Sequence, residues 1–195
     1  SFDTDENMLM KLEAANGGDY DVVIADDYIL EPVIAQGLAQ KLDKTLLTNY
    51  GNINPLYQGQ FYDPEDEYTV PYGAGVMSII YDPSAEITSY ADLWDPSLKD
   101  NLGLIANSRV VTGMALKMMG ESYNTEDLDI IQRAGDKMLE LTPNVRVIND
   151  NNLQDALITG EVGAALVYSS QATQALQTNA NFKQVFPAEG IGFGV

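Results

Sequence analysis

Residues 68–82, YTVPYGAGVMSIIYD, constrain the fold of this chain more than any other stretch. Two runs rich in β-branched and aromatic residues, 68–72 and 76–81, meet at Gly73-Ala74-Gly75. Such side chains favour strands, and glycine inside a strand pattern marks a bend or a close approach by a ligand or another backbone. The stretch either turns back as an ordinary hairpin or carries the chain from one compact lobe into another, leaving a cleft at the crossing. The flanking sequence favours the crossing.

Upstream, Met8, Leu9 and Leu12 lie at helical spacing, and Gly17-Gly18 stops that helix. Residues 20–24 (YDVVI) read as an apolar strand ending in Ala25-Asp26-Asp27-Tyr28. The next helix has Pro32 near its first turn and Gly37 past its end. This β-α-β-α rhythm belongs to a sheet covered by helices. A turn-rich connection over 43–67 leads to the crossing. Downstream, SYADLWDP (89–96) is a short helical turn ended by proline, and 102–105 is a strand. Asn107-Ser108 caps a helix that runs to Gly120. Thr125-Glu126-Asp127 opens another, with Leu128, Ile131 and Met138 inward and acids suited to its dipole. Residues 145–148 and 164–168 read as further strands, each followed by a helix, the first of these starting at Asn149-Asp150. Residues 186–195 form a second glycine-punctuated strand. The expected fold is α/β in two lobes, 1–74 and 75–195, the first incomplete and the second nearly whole. Ser1-Phe2-Asp3-Thr4 reads as the middle of a strand, as if the chain begins within a larger protein.

Composition narrows the function. Twenty-nine acidic residues against ten basic ones leave a net charge of −19. That disfavours nucleic acid and anionic membranes as partners and favours a cationic small molecule, although excess acid also serves solubility. Cysteine and histidine are both absent. Disulfides, thiolate nucleophiles, Ser-His triads and the commonest zinc and iron sites are therefore excluded. No apolar run approaches the ~18–20 residues that span a bilayer. Neither a cofactor nor a metal is implied.

Ligands of doubly wound sheets settle beyond the carboxyl ends of the strands. Four places qualify: Asp26-Asp27-Tyr28, Tyr72, Asn107-Ser108-Arg109 and Tyr168-Ser169-Ser170. Carboxylates beside aromatic faces suit an organic ammonium through charge-assisted hydrogen bonds and cation–π contact. Each group also has a plain structural role open to it. Asp26 or Asp27 can cap the following helix, Tyr72 and Tyr168 can be half-buried core aromatics, and Arg109 can be an internal salt-bridge partner. Asp63-Pro64-Glu65-Asp66-Glu67 lacks the spacing of a calcium loop and reads as a solvated turn. Trp94 is read as packing.

Several segments resemble one family. They are YDVV (20–23), GLAQKLDKTLLTN (37–49), YTVPY (68–72), SYADLWDP (89–96), PNV (143–145), GEV (160–162) and FPAEG (186–190). The chain is similar through nearly its whole length to the extracytoplasmic polyamine-binding proteins of ABC transporters, the spermidine/putrescine-binding PotD type. Two of these segments, SYADLWDP and GEV, occur also in relatives that bind other solutes. The resemblance implies a type II periplasmic-binding-protein fold, two α/β lobes hinged by crossing strands and closing on a solute. Tyr28 and Tyr72 would come from lobe one, and Tyr168 stands where those proteins have a tryptophan wall. Asn107 and Val110 stand where they have amine-gripping carboxylates, so neither grip is acidic here. Asp26 and Asp27 replace small hydroxyl residues and would move the ammonium contacts to the opposite lobe. A further family aspartate would follow Val195, and the segments that complete both lobes would lie outside this sequence.

The expected function is therefore that of a non-catalytic receptor that delivers a polyamine, such as spermidine or putrescine, to ABC permease subunits outside the cytoplasmic membrane. The expected ligand contacts are Asp26, Asp27, Tyr28, Tyr72, Asn107, Ser108, Arg109, Tyr168 and Ser169. The alternative solute is another cation or a zwitterion, such as an opine-like or amino-acid-derived compound. An enzyme built on an Asp26-Asp27 acid pair ranks far lower, since no nucleophile, metal site or phosphate loop accompanies it. A pure interaction module would have no cleft ligand.

Overall fold

The structure, a computed structural model, describes residues 4–149 and 152–194. It divides into two compact units, Ser1–Ala74 with Gly194–Val195, and Gly75–Phe193.

The second unit is built on a six-stranded mixed sheet. Its strands are β1 (Gly75–Tyr81), β2 (Leu102–Leu104), β3 (Val145–Ile148), β4 (Ala164–Tyr168), β5 (Lys183–Val185) and β6 (Phe193–Gly194). The order is β3-β2-β4-β1-β5, with β6 also pairing β1. β2 runs parallel to β3 and β4, whereas β1 is antiparallel to β4 and β5. Side chains alternate across a strand, so the two faces of one strand belong to different cores. Met77 and Ile79 of β1 and Ala164 and Leu166 of β4 enter one core, with Ile87, Tyr90, Leu93, Val110 and Met114. Ile80, Ala165 and Val167 enter the other, with Leu153, Leu157, Ala172, Ala175 and Phe182. Helices α3 (Ser108–Met118) and α4 (Leu128–Leu141) thus cover one face of the sheet. α5 (Leu153–Ile158) and α6 (Ser169–Thr178) cover the other. Burial on both faces is why β4 reads as an unbroken apolar run, AALVY.

α4 begins beside its cap Asp127, and its inner face is the expected one only in part: Met138 lies on it and Leu128 does not. Leu128 is 78% exposed. Ile130, Ala134 and Met138 pack against α3, with Leu141 in the main core. That set advances by four or three residues at each step and keeps one helical face; Leu128 at the first position is out of phase with it. The helical turn of SYADLWDP, a 3₁₀ turn over Ala91–Trp94, ends before the proline as expected, with Asp95 extended at ψ 130°, and Pro96 opens a second 3₁₀ turn, Pro96–Leu98. Proline fits the first position of such a turn, whose N–H would have no partner. Trp94 packs as expected, its indole N–H donating to the Lys137 carbonyl at 3.0 Å.

The first unit contains α1 (Asp5–Ala14) and α2 (Asp27–Ala35), whose core is Met8, Leu12, Ile29 and Val33. Thr4 caps α1, accepting from the Asn7 N–H at 3.2 Å, while the expected strand residues Ser1, Phe2 and Asp3 lie outside the described residues. Pro32 lies inside α2 rather than in its first turn, because the helix already starts at Asp27. Gly37 ends it with φ +69°, a conformation in which only glycine is unstrained.

Residues 20–24 and 68–72 were expected as strands and form none. A strand is stabilised by its ladder, and these segments pair with no other among the described residues; Val22 is 81% and Ile24 61% exposed. Of the terminal run 186–195, only β6 is strand, and Val195 lies outside the described residues. α5 begins at Leu153, and Asp150, expected near its start, also lies outside them.

The turn-rich connection is organised rather than loose. Asp63 is only 4% exposed. Its Oδ2 accepts from the N–H groups of Tyr68 (2.8 Å) and Thr69 (2.9 Å) and from the Thr69 hydroxyl (3.0 Å). Its Oδ1 accepts from the Glu67 N–H at 2.9 Å. The supposed solvated turn therefore closes around a buried carboxylate.

Candidate functional site

In unit 2 the carboxyl ends of the parallel strands β2 and β4 lead directly into α3 and α6. Asn107 joins the two. Its Oδ1 accepts from the Val110 N–H at 3.1 Å, capping α3, and its Nδ2 donates to the Tyr168 hydroxyl at 3.4 Å. Ser108 is the first residue of α3 and Ser169 the first of α6. The Ser169 hydroxyl accepts from the Val76 N–H, at 3.5 Å, near the start of β1. Asn107, Ser108, Tyr168 and Ser169 thus gather at one end of the sheet. Helix N-termini carry positive potential there, and amide, hydroxyl and phenol groups supply hydrogen bonds.

Sequence reasoning missed Gln171. Its side-chain oxygen accepts from the Tyr168 N–H at 3.2 Å, fixing the strand-to-helix turn that presents the phenol ring. A glutamine three residues into a helix is the capping-box position, and that was the available signal. Val110 is buried in the core and offers the site nothing polar.

Arg109 is not gathered with this set. Its guanidinium donates to the Asn124 side-chain oxygen at 2.5 Å and lies 5.3 Å from the centre of the Tyr123 ring. Its partners are thus an amide and an aromatic face, neither of them the carboxylate of the salt bridge left open by the sequence.

In unit 1, Asp26, Asp27 and Tyr28 stand at the start of α2. Asp26 occupies the cap position, yet its side chain makes no capping bond; its N–H donates to Asp5 Oδ2 at 3.1 Å. Asp27 lies in the first turn, where a negative charge complements the helix dipole. The Tyr28 hydroxyl donates to Glu6 Oε1 at 3.2 Å, linking α2 to α1. Burial, then the charges of Asp5, Glu6 and Asp26, push the Tyr28 phenol far above its usual value, so it stays a donor. Tyr72 is 85% exposed and follows the segment that Asp63 anchors. Burial alone would raise the Asp63 pKa, but its hydrogen bonds from Tyr68, Glu67 and Thr69 outweigh that and hold it below the usual carboxylate range.

Among the described residues no group of acidic side chains is arranged to hold a metal ion. No helix among them is long and apolar enough to cross a membrane.

Residues 20–193 match the model of a family described as bacterial extracellular solute-binding protein. The spermidine/putrescine-binding periplasmic protein of Salmonella typhimurium is 37% identical over 195 residues, covering 97% of this chain and 56% of that protein. Among solved structures, a Listeria monocytogenes protein assigned to a spermidine/putrescine ABC transporter is 29% identical with a TM-score of 0.93. That likeness covers 99% of this chain and 61% of that one. The substrate-binding protein PotD of a Streptococcus pneumoniae spermidine/putrescine ABC transporter is 28% identical, with a TM-score of 0.75 over 99% of this chain and 60% of its own. The chain therefore spans little more than half the length of these relatives, and its α/β fold is that of periplasmic solute-binding proteins. With the family match covering unit 2 and unit 1 from residue 20 onward, the chain belongs to the bacterial extracellular solute-binding proteins.

Proposed function

We propose that the protein is the solute receptor of an ABC importer, working outside the cytoplasmic membrane, and that its solute is a polyamine of the spermidine or putrescine class. Residues 1–74 and 75–195 act as its two lobes. The observation that carries this reading is the 37% identity, over 97% of the chain, to a protein named for binding spermidine and putrescine. The net charge of −19 agrees with a cationic solute. In unit 1 the groups suited to an ammonium are the carboxylates of Asp26 and Asp27, with the exposed ring of Tyr72. In unit 2 Tyr168 offers an aromatic face, and Asn107, Ser108 and Ser169 offer hydrogen bonds. The receptor binds its solute without converting it and hands it to permease subunits.

A second reading is a zwitterionic solute, opine-like or derived from an amino acid. It is favoured by the N-termini of α3 and α6 meeting at Asn107 and Tyr168, where partial positive charge suits a carboxylate better than an ammonium.

Isothermal titration separates the two. Spermidine, putrescine and octopine are titrated into the 195-residue chain and into a form extended at both ends, with magnesium at matched ionic strength as the control. Saturable polyamine binding beyond magnesium, lost in Asp26→Asn/Asp27→Asn, supports the first reading and its acid contacts. Polyamine binding unchanged by those substitutions removes Asp26 and Asp27 from the site. Saturable octopine binding alone selects the second reading, and no binding beyond magnesium in either form refutes both.

A further inference from the structure

Between β5 and β6 the chain returns through residues 186–192, and within unit 2 it is held at several separate points. Glu189 Oε1 accepts from the N–H groups of Tyr90 (3.0 Å) and Ala91 (3.4 Å), at the start of the Ala91–Trp94 turn. Gly190, at φ +102°, lies so close to α3 that a Cβ would stand 3.1 Å from Lys117 Cε. Gly192 lies against Tyr123, where a Cβ would stand 3.0 Å from the hydroxyl oxygen. The Gly192 carbonyl accepts from the Met77 N–H of β1 at 3.2 Å, one residue before β6 begins.

Tyr123 is itself seated by α3. Gly113 leaves the room, since a Cβ there would stand 2.0 Å from a ring carbon of Tyr123. Arg109, one helical turn earlier, covers the same ring and bonds the neighbouring Asn124.

We propose that Glu189 and Tyr123 form a latch, a pair of positioning residues that holds residues 187–192 on unit 2 and so sets the pairing of β6 with β1. The chain passes from unit 2 into the Gly194–Val195 part of unit 1 directly after this segment, so the latch controls that connection at its unit 2 end. Among the described residues only the Oε1 atom of Glu189 is engaged, so the latch at this point rests on the two bonds from Tyr90 and Ala91. Arg109 thereby acquires a role away from the solute, as the cover that keeps Tyr123 in place.

The test is amide hydrogen exchange by NMR on the 195-residue chain, without ligand, and so independent of which solute is bound. The reporter is the Met77 amide, whose acceptor is Gly192. Glu189→Ala is expected to accelerate exchange at Tyr90, Ala91 and Met77 by roughly tenfold or more, with amides in the middle of β2 and β4 unchanged. Gly192→Val, which leaves Glu189 intact but adds two methyl groups beyond a Cβ already 3.0 Å from the Tyr123 hydroxyl, is expected to accelerate Met77 in the same way. Unchanged Met77 protection in either variant overturns the latch. So does uniform acceleration across β2 and β4, which would make the segment an ordinary part of the global fold.

Discussion

Replacing Asp63 by asparagine probes the connection before β1 with a nearly isosteric change. In the wild type Oδ2 receives three donors and Oδ1 receives one. An asparagine can keep the three by placing its amide oxygen at the Oδ2 position. Its NH₂ then faces the Glu67 N–H, so one hydrogen bond is lost and two donors oppose each other. The three that remain become neutral, and charge-assisted bonds are about twice as strong as neutral ones. With roughly 1.5–3 kcal/mol for a bond to a charged group and about 1 kcal/mol for a neutral one, the lost bond and the three weakened ones together cost at least about 3 kcal/mol. Amide exchange at Glu67, Tyr68 and Thr69 reads it directly, as an acceleration of roughly a hundredfold or more at neutral pH. The pH dependence has a definite sign. The folded pKa lies below the ordinary carboxylate value, so the stabilisation is present above about pH 4 and fades as pH falls through the folded pKa. Wild type and Asp63→Asn should therefore differ most near neutrality and converge in acid. A difference under about 0.5 kcal/mol at pH 7, or one that does not shrink in acid, would refute this role of the Asp63 carboxylate.

Two further substitutions test unit 2. Gly113→Ala drives a methyl group into the Tyr123 ring, 2.0 Å from the Cβ position, and should destabilise the unit by at least about 2 kcal/mol. Urea unfolding followed by the fluorescence of Trp94 measures this, and an unshifted midpoint would contradict the packing described. Asn107→Ala removes both the α3 cap and the partner of the Tyr168 hydroxyl, for a loss of about 1–2 kcal/mol. Asn107→Asp keeps the cap and should recover most of that loss by the same assay; equal destabilisation by both would mean that capping is not what Asn107 supplies.

How far each unit could be read from sequence depended on whether its signals were local. In unit 2 they were. β4 is a five-residue apolar run between glycine and a helix, and its boundaries were evident. Asn107 sits where a capping residue must, and α3 starts directly after it. In unit 1 the decisive quantity was a partner. Residues 20–24 have the composition of a strand, but composition cannot provide a neighbouring ladder. Asp63 shows the converse error. An acid-rich stretch after Asp-Pro looks solvated, yet one member of it is among the most buried polar residues described. The hint was the series of N–H groups four to six residues further on, within reach of a single carboxylate turning back.

The candidate site was legible by type and obscure by partner. Asn107 and Tyr168 lie 61 residues apart in sequence, and only the parallel pairing of β2 with β4 brings their strand ends together. The rule about strand ends selected both residues without indicating that they bond each other. For Arg109 the rule selected the address but not the direction of the side chain. What turns the guanidinium aside is Gly113, four residues later on the same helical face, which makes the hollow that Tyr123 fills. An aromatic ring seated beside an arginine competes for it with any ligand. The carboxyl-end groups left in unit 2 are then neutral: Asn107, Ser108, Tyr168 and Ser169. If the solute is a polyamine, charge recognition therefore rests on carboxylates elsewhere, here proposed to be Asp26 and Asp27 at the start of α2. Removing them is the substitution on which the polyamine and zwitterion readings diverge most sharply, because a solute held by its carboxylate at α3 and α6 would lose far less.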